Sequence, residues 1–207
     1  MRKTVQQRGV ALPLIIIGVL VVLVVVFFLV TGDFKFSVST NQPSSPEQSA
    51  QSEPQNYQND AYGLSLIYPG NWSFKNQPTA QYVVAFYSPQ ESSADDYREF
   101  VGIKIIDISS QPDLTVQAVA DLWESQTAEE SAGEDNFQVA GREAATVSGE
   151  EARDIIFTAD LDGDQIKGFA RVVLKNGNAY IFEYFAKAKA YDKYLPDVES
   201  ILASTNL

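Results

Sequence analysis

"ARDIIFTADLDGDQIKGFARVVLKNGNAYIFEYFAK", Ala152 to Lys187, contains three runs rich in β-branched and aromatic residues, separated by Asp162-Gly163 and Asn176-Gly177. Both dipeptides supply the positive φ angles of a two-residue hairpin, so the stretch reads as a three-stranded antiparallel meander. Two-residue loops place Leu161 opposite Asp164, and the register counts outward from there. Ile155, Phe157, Ile166, Ala170, Val172, Leu174, Ile181 and Phe185 then share one face. Ile156, Phe169, Val173, Tyr180, Phe182 and Tyr184 share the other. A sheet with one wet side alternates apolar and polar residues, whereas this one is apolar on both faces and calls for two covers. In the same register Asp154 lies opposite Arg171, whose other neighbour is Phe182. The structural reading is a partly buried ion pair with cation–π character; the functional one makes Arg171 the floor of a pocket for an anionic group.

The flanking sequence supplies the covers. Val116, Val119, Ala120 and Trp123 recur at i, i+3, i+4 and i+7, an apolar helical face with Thr115 as N-cap. The helix is expected to run out in the acidic loop "ESQTAEESAGEDN" from Glu124. Tyr191, Tyr194, Leu195, Val198, Ile201 and Leu202 have helical spacing, and Pro196 places the start of the regular helix near itself. Upstream, "YGLSLIYPGNWSF" from Tyr62 gives a strand with Leu64, Leu66 and Tyr68 inward, a Pro-Gly turn, and Trp72 as a core anchor, the strand that starts the sheet. "AQYVVAFYS" from Ala80 and "FVGIKIIDI" from Phe100 are further strands, joined by the polar "PQESSADDYRE". The fold class is α+β: an α/β/α sandwich with a mostly antiparallel β-sheet covered by helices.

Before this domain lies a different kind of sequence. Residues 10–30, "VALPLIIIGVLVVLVVVFFLV", carry no charge and span roughly 30 Å as a helix, the thickness of a bilayer core. The expectation is a single N-terminal transmembrane helix. Arg2, Lys3 and Arg8 precede it and only Asp33 and Lys35 follow closely, so residues 1–9 form a cytoplasmic N-terminus and the rest is extracytoplasmic. The rival reading, a cleaved signal peptide cut after Val30 or Gly32, has to explain an apolar run longer than a usual signal core. A type IV pilin is disfavoured because Leu14 occupies the position of that family's acidic residue. Residues 31–56 are a Pro/Ser/Gln-rich flexible linker, with an r.m.s. reach of about 25 Å, and residues 57–207 form the domain.

The chain of 207 residues has 27 acidic and 15 basic side chains, no cysteine and no histidine. Lipid attachment through cysteine, disulfides, Ser-His-Asp and Cys-His catalysis and histidine-ligated zinc are thereby excluded. The domain carries about −13, so it repels nucleic acid and anionic headgroups. "DLDGDQ" puts Asp160, Asp162 and Asp164 at calcium-loop spacing. However, Gln165 stands where the loop needs glycine and Arg171 where it needs glutamate, so a hairpin turn explains them. Asp95-Asp96, Glu129-Glu130 and Glu150-Glu151 are adjacent acids whose side chains diverge, and a glycosidase needs two carboxyls facing one cleft. No catalytic, cofactor-binding or metal residue is assigned, and no cofactor is expected.

"GLSLIYPGNW" from Gly63, "LTVQAVADLWESQ" from Leu114 and "NAYIFEYFAKAKAYDKYLPDVESILAST" from Asn178 together resemble the PsbP-like family over about residues 57–207. That superfamily includes the extrinsic photosystem II subunit, related bacterial proteins and a relative that binds the Ran GTPase. The resemblance implies a noncatalytic protein-binding or assembly module, here membrane-anchored and meeting an envelope protein partner, and carries no site residue over. The alternatives are a carboxylate-dependent cell-envelope hydrolase and a small-ligand carrier.

Overall fold

The computed structural model describes residues 52–93, 95, 97–131 and 136–207. The expected cytoplasmic segment, membrane span and most of the linker lie outside the described residues. Among the described residues, no helix is long and apolar enough to cross a membrane.

Two strands, β1 (Gln55–Asn59) and β2 (Leu64–Tyr68), form a hairpin of their own. Seven more, β3 (Ser73–Asn76), β4 (Val84–Tyr87), β5 (Phe100–Asp107), β6 (Gln138–Val147), β7 (Glu150–Leu161), β8 (Asp164–Lys175) and β9 (Asn178–Lys187), form one antiparallel sheet in the order β3-β4-β5-β9-β8-β7-β6. Helix α1 (Val116–Glu130) lies between β5 and β6 in the chain, and α2 (Tyr191–Ser204) follows β9.

The meander registers as the sequence requires, with Leu161 opposite Asp164 and Lys175 opposite Asn178. Both turns take the left-handed conformation at each central residue, at Asp162 (φ 51) and Gly163 (φ 86), and at Asn176 (φ 53) and Gly177 (φ 75). That handedness matches the twist of the strands it joins. The meander has a fourth strand that the sequence reading leaves out. β6 pairs with β7 through an equivalent turn at Ser148 and Gly149.

Both faces of the sheet are covered. On one, Val119, Ala120 and Trp123 of α1 pack with Ile155, Phe157, Val172 and Ile181. On the other, Tyr191, Tyr194, Val198, Ile201 and Leu202 of α2 pack with Phe169, Val173, Tyr180, Phe182 and Tyr184. The N-terminal hairpin joins this second core through Tyr57, Leu64, Leu66 and Tyr68.

Several expectations need correction. β2 does not start the main sheet: its ladder partner is β1, and its other edge meets the end of α2. There Ile67 N–H donates to Ser204 Oγ at 2.9 Å, and Ser65 bridges Asn206. β1 begins at Gln55, before Tyr57. In "AQYVVAFYS" only Val84–Tyr87 is strand. The acidic run after Trp123 continues the helix to Glu130, because Glu, Gln and Ala are good helix formers and the Thr127 hydroxyl bonds back to Trp123 O at 2.8 Å. Thr115 is the N-cap, its Oγ1 accepting from Ala118 N–H at 3.1 Å. α2 starts at Tyr191, so Pro196 lies inside it. Burial of Tyr191 and Tyr194 anchors the turn ahead of the proline and offsets its missing hydrogen bond.

Candidate functional site

Four arrangements of side chains bear on function, two of them buried. The first centres on Glu183, 1% exposed on β9 and facing α1. Its Oε1 accepts from Trp123 Nε1 at 2.5 Å and pairs with Lys104 Nζ at 2.8 Å; its Oε2 accepts from the Tyr82 hydroxyl. Burial pushes the Tyr82 hydroxyl well above its ordinary pKa and the Glu183 charge adds to the effect, so the phenol stays a donor. Tyr82 reaches this position because β5 has Gly102 beneath its ring, where a Cβ would lie 2.3 Å from Tyr82 Cε1.

On the opposite face, the expected pair of Asp154 and Arg171 is present as a fork, Nε to Oδ1 and Nη2 to Oδ2 at 2.7 Å each. A third member, Glu199 of α2, accepts from Nη1 and Nη2 at 3.2 Å. Burial works against the Arg171 charge, but the two carboxylates outweigh it and hold its pKa above the ordinary value. Arg171 therefore ties α2 to the sheet and is not the floor of an open anion pocket. The ring beneath it is also corrected. The guanidinium carbon lies 5.4 Å from the centroid of Phe169, two positions along its own strand, where the side chain must lie to reach Glu199.

The third arrangement is a row of aromatic rings crossing the sheet. Tyr87, Phe100 and Phe185 are directly paired across β4, β5 and β9, followed by Gly168 and Phe157 on β8 and β7. Phe100 and Phe185 stack with centroids 5.1 Å apart, and Phe185 meets Phe157 at 5.3 Å. That last contact requires the glycine between them. A Cβ on Gly168 would lie 2.6 Å from Phe157 Cζ and 2.2 Å from Tyr184 O.

The fourth is open to water. A polar cleft of about 390 Å³ is lined by Glu91, Ser92, Asp95, Tyr97, Glu99, Lys187, Lys189, Ala190 and Lys193, where the connection from β4 to β5 passes the start of α2. Glu91 Oε1 accepts from Lys193 Nζ at 2.7 Å and the Tyr194 hydroxyl at 3.0 Å, and these two bonds lower its pKa. Glu99 is buried and accepts from Ser88 Oγ at 3.0 Å. Burial raises the Tyr97 hydroxyl, keeping it protonated. Such a lining offers charge and hydrogen bonds to a polar group. Among the described residues, its acids Glu91, Asp95 and Glu99 come from one connection and do not converge from distant segments, as the hydrolase reading requires.

The remaining sequence candidates disperse. Asp160 accepts from Asn136 Nδ2 at 2.8 Å and Asp164 pairs with Lys187 at 2.7 Å, so the calcium-like run is a hairpin with side-chain partners. Among the described residues, no group of three acidic side chains is placed to hold a metal. Glu129 and Glu130 end α1, Glu150 and Glu151 begin β7, and Asp96 lies outside the described residues. The sequence reading missed Glu183 and Lys104. The signal was a charge in the middle of each of two strands, Glu183 in "NAYIFEYFAK" and Lys104 in "FVGIKIIDI", with apolar residues on both sides of it.

Comparison with known proteins places this geometry in a family. The structure aligns with the cyanobacterial PsbP protein (CyanoP) of Synechocystis sp. PCC 6803 at a TM-score of 0.60 and 17% identity, covering 79% of this chain and 98% of that one. It aligns with LpqN of Mycobacterium tuberculosis, a protein involved in cell envelope biogenesis, at a TM-score of 0.51 and 14% identity, covering 69% and 82%. At such identities the likeness shows the fold alone. No curated protein matches the chain. The model of the PsbP-like protein family matches residues 14–206, nearly the whole sequence, and the chain belongs to that family.

Proposed function

We propose that the chain is a single-pass, membrane-anchored protein whose PsbP-like domain faces the extracytoplasmic side and acts as a noncatalytic binding or assembly module. Residues 10–30 serve as the anchor, and Arg2, Lys3 and Arg8 keep the N-terminus in the cytoplasm. The noncatalytic reading is carried by the internal matching of the domain's buried ionisable groups. Glu183 is met by three donors and Arg171 by two carboxylates, and among the described residues no buried side-chain polar atom lacks a hydrogen-bond partner. A general acid or base needs a group free to exchange its proton with a substrate, and these groups instead fasten the two covers to the sheet. The partner is a basic or neutral envelope protein, a role in keeping with that of LpqN, and the acidic side of the polar cleft, at Glu91 and Asp95, is its contact point.

The test is a crosslinking pull-down from native membranes. It compares the full chain with a variant lacking residues 1–51, which leaves β1 whole. A specific envelope protein recovered mainly with the full chain supports a tethered module. Equal recovery of nothing by both variants, or a domain untouched by protease added outside spheroplasts, removes the reading.

A further inference from the structure

The two edges of the seven-stranded sheet differ. At one end β3 has 4 residues including Lys75. Tyr57 of the N-terminal hairpin overlies it, donating to Asn76 Oδ1 at 2.9 Å, and Arg98 Nη2 holds Ser73 Oγ at 2.9 Å. At the other end β6 has 10 residues and pairs with β7 along one side; among the described residues no strand pairs with its outer side. Sheets normally blunt such an edge with short strands, charges, proline or a bulge, because its free N–H and C=O groups are a template for another chain. β6 has a bulge between Val139 and Gly141, and from Gly141 to Val147 it then runs in unbroken register against Ile156 to Glu150. Gly141, Ala144 and Ala145 keep this run small. Its charges, Arg142 and Glu143, cancel, in a domain that elsewhere repels its own kind. Arg142 is also drawn back over α1 by Glu124, with Nε to Oε2 at 2.9 Å.

The sequence of this run fits a second copy of itself. A two-fold axis perpendicular to a sheet pairs antiparallel strands so that residues of one face stay together, and such an axis must pass through a residue. Through Arg142 or Glu143 it would set like charges directly opposite, which is destabilising. Through Ala144, the midpoint of the regular run, it sets Gly141 against the partner's Val147, Arg142 against the partner's Thr146, and Glu143 against the partner's Ala145. That register uses the whole run and opposes no like charges. We propose that the outer edge of β6 is a self-association surface, pairing two copies antiparallel about a two-fold axis at Ala144 and joining their sheets. The contact is small, so association is weak and concentration-dependent.

The chain has no cysteine, which makes a crosslinking test clean. The full-length protein in mild detergent would carry Ala144→Cys, Arg142→Cys or Asn76→Cys singly and be oxidised with copper phenanthroline. Cβ atoms of directly opposed residues lie about 4.5–5.5 Å apart, close enough to relax into a disulfide. The two Arg142 positions, by contrast, are offset by about 13 Å along the strand. Crosslinked dimer is expected to form at least tenfold faster for Ala144→Cys than for either control. Sedimentation of the full-length protein should show self-association weakened at least tenfold by Ala144→Lys, with the circular dichroism spectrum unchanged. Equal crosslinking at all three positions, or a wild-type chain that sediments as a monomer at every concentration up to 1 mM, overturns the proposal.

Discussion

Glu183 shows how one inward carboxylate organises three elements: Lys104 arrives from β5, Trp123 from α1 and Tyr82 from the segment before β4. Removing the charge while keeping the shape leaves Lys104 without its counter-ion. Glu183→Gln should therefore lower stability by about 3 kcal/mol in urea unfolding. That is the low end for a broken buried pair, because the Lys104 side chain keeps 16% of its exposure and can reach water. An unchanged midpoint would show that Lys104 is solvated at no cost. Tyr191 gives a pH dependence. Burial, aided by Asp192, pushes its hydroxyl up to about 12 from the ordinary 10.0. The folded state thus favours the protonated form; the stabilisation is complete below pH 10 and is lost as pH rises toward 12. Tyr191→Phe should flatten the fall in melting temperature across that window and leave pH 7 stability nearly unchanged; an identical slope would assign the alkaline loss to other groups. At this scale the sequence was legible where register fixed a neighbour, as for Asp154 and Arg171. It was not legible for Glu183, whose partners come from three separated segments.

Elements with a strong local signal could be read directly. The two Asx-Gly turns set the register of β7, β8 and β9, and Thr115 with the Val119-Ala120-Trp123 face defined α1. Elements stabilised mainly by a neighbour could not. β3 and β6 are edge strands with mostly exposed side chains, so neither shows an apolar run, and β1 is a polar strand with Tyr57 its only buried residue. The start of α2 was displaced for a related reason. Proline marks a helix start only when local preference decides, and here the burial of Tyr191 and Tyr194 decides instead. Pro196→Ala should accordingly raise stability, by up to ~3 kcal/mol, since alanine restores the backbone donor and relieves the ring's clash with the preceding turn. A lower melting temperature would mean that the proline's restriction of the unfolded chain outweighs both gains.

For the whole molecule, charge sets the terms. A domain with about 24 acidic and 11 basic side chains repels itself, and its ion pairs at Glu91, Glu124 and Asp164 are partly exposed. Sodium chloride from 10 to 500 mM should raise the melting temperature, since screening weakens the net repulsion more than a few surface pairs lose; a fall would place the balance with the pairs. The two-sided cover was legible in the apolar faces of the meander. The cleft between the β4–β5 connection and α2 joins segments nearly a hundred residues apart and had no local signature. The two tryptophans, finally, make the molecule its own optical instrument. Each indole donates to a carboxylate, Trp72 to Asp197 at 3.2 Å on the α2 side and Trp123 to Glu183 on the α1 side. Single-tryptophan variants would thus emit from one layer at a time, and denaturation followed at both would reveal whether the layers come away together or in sequence.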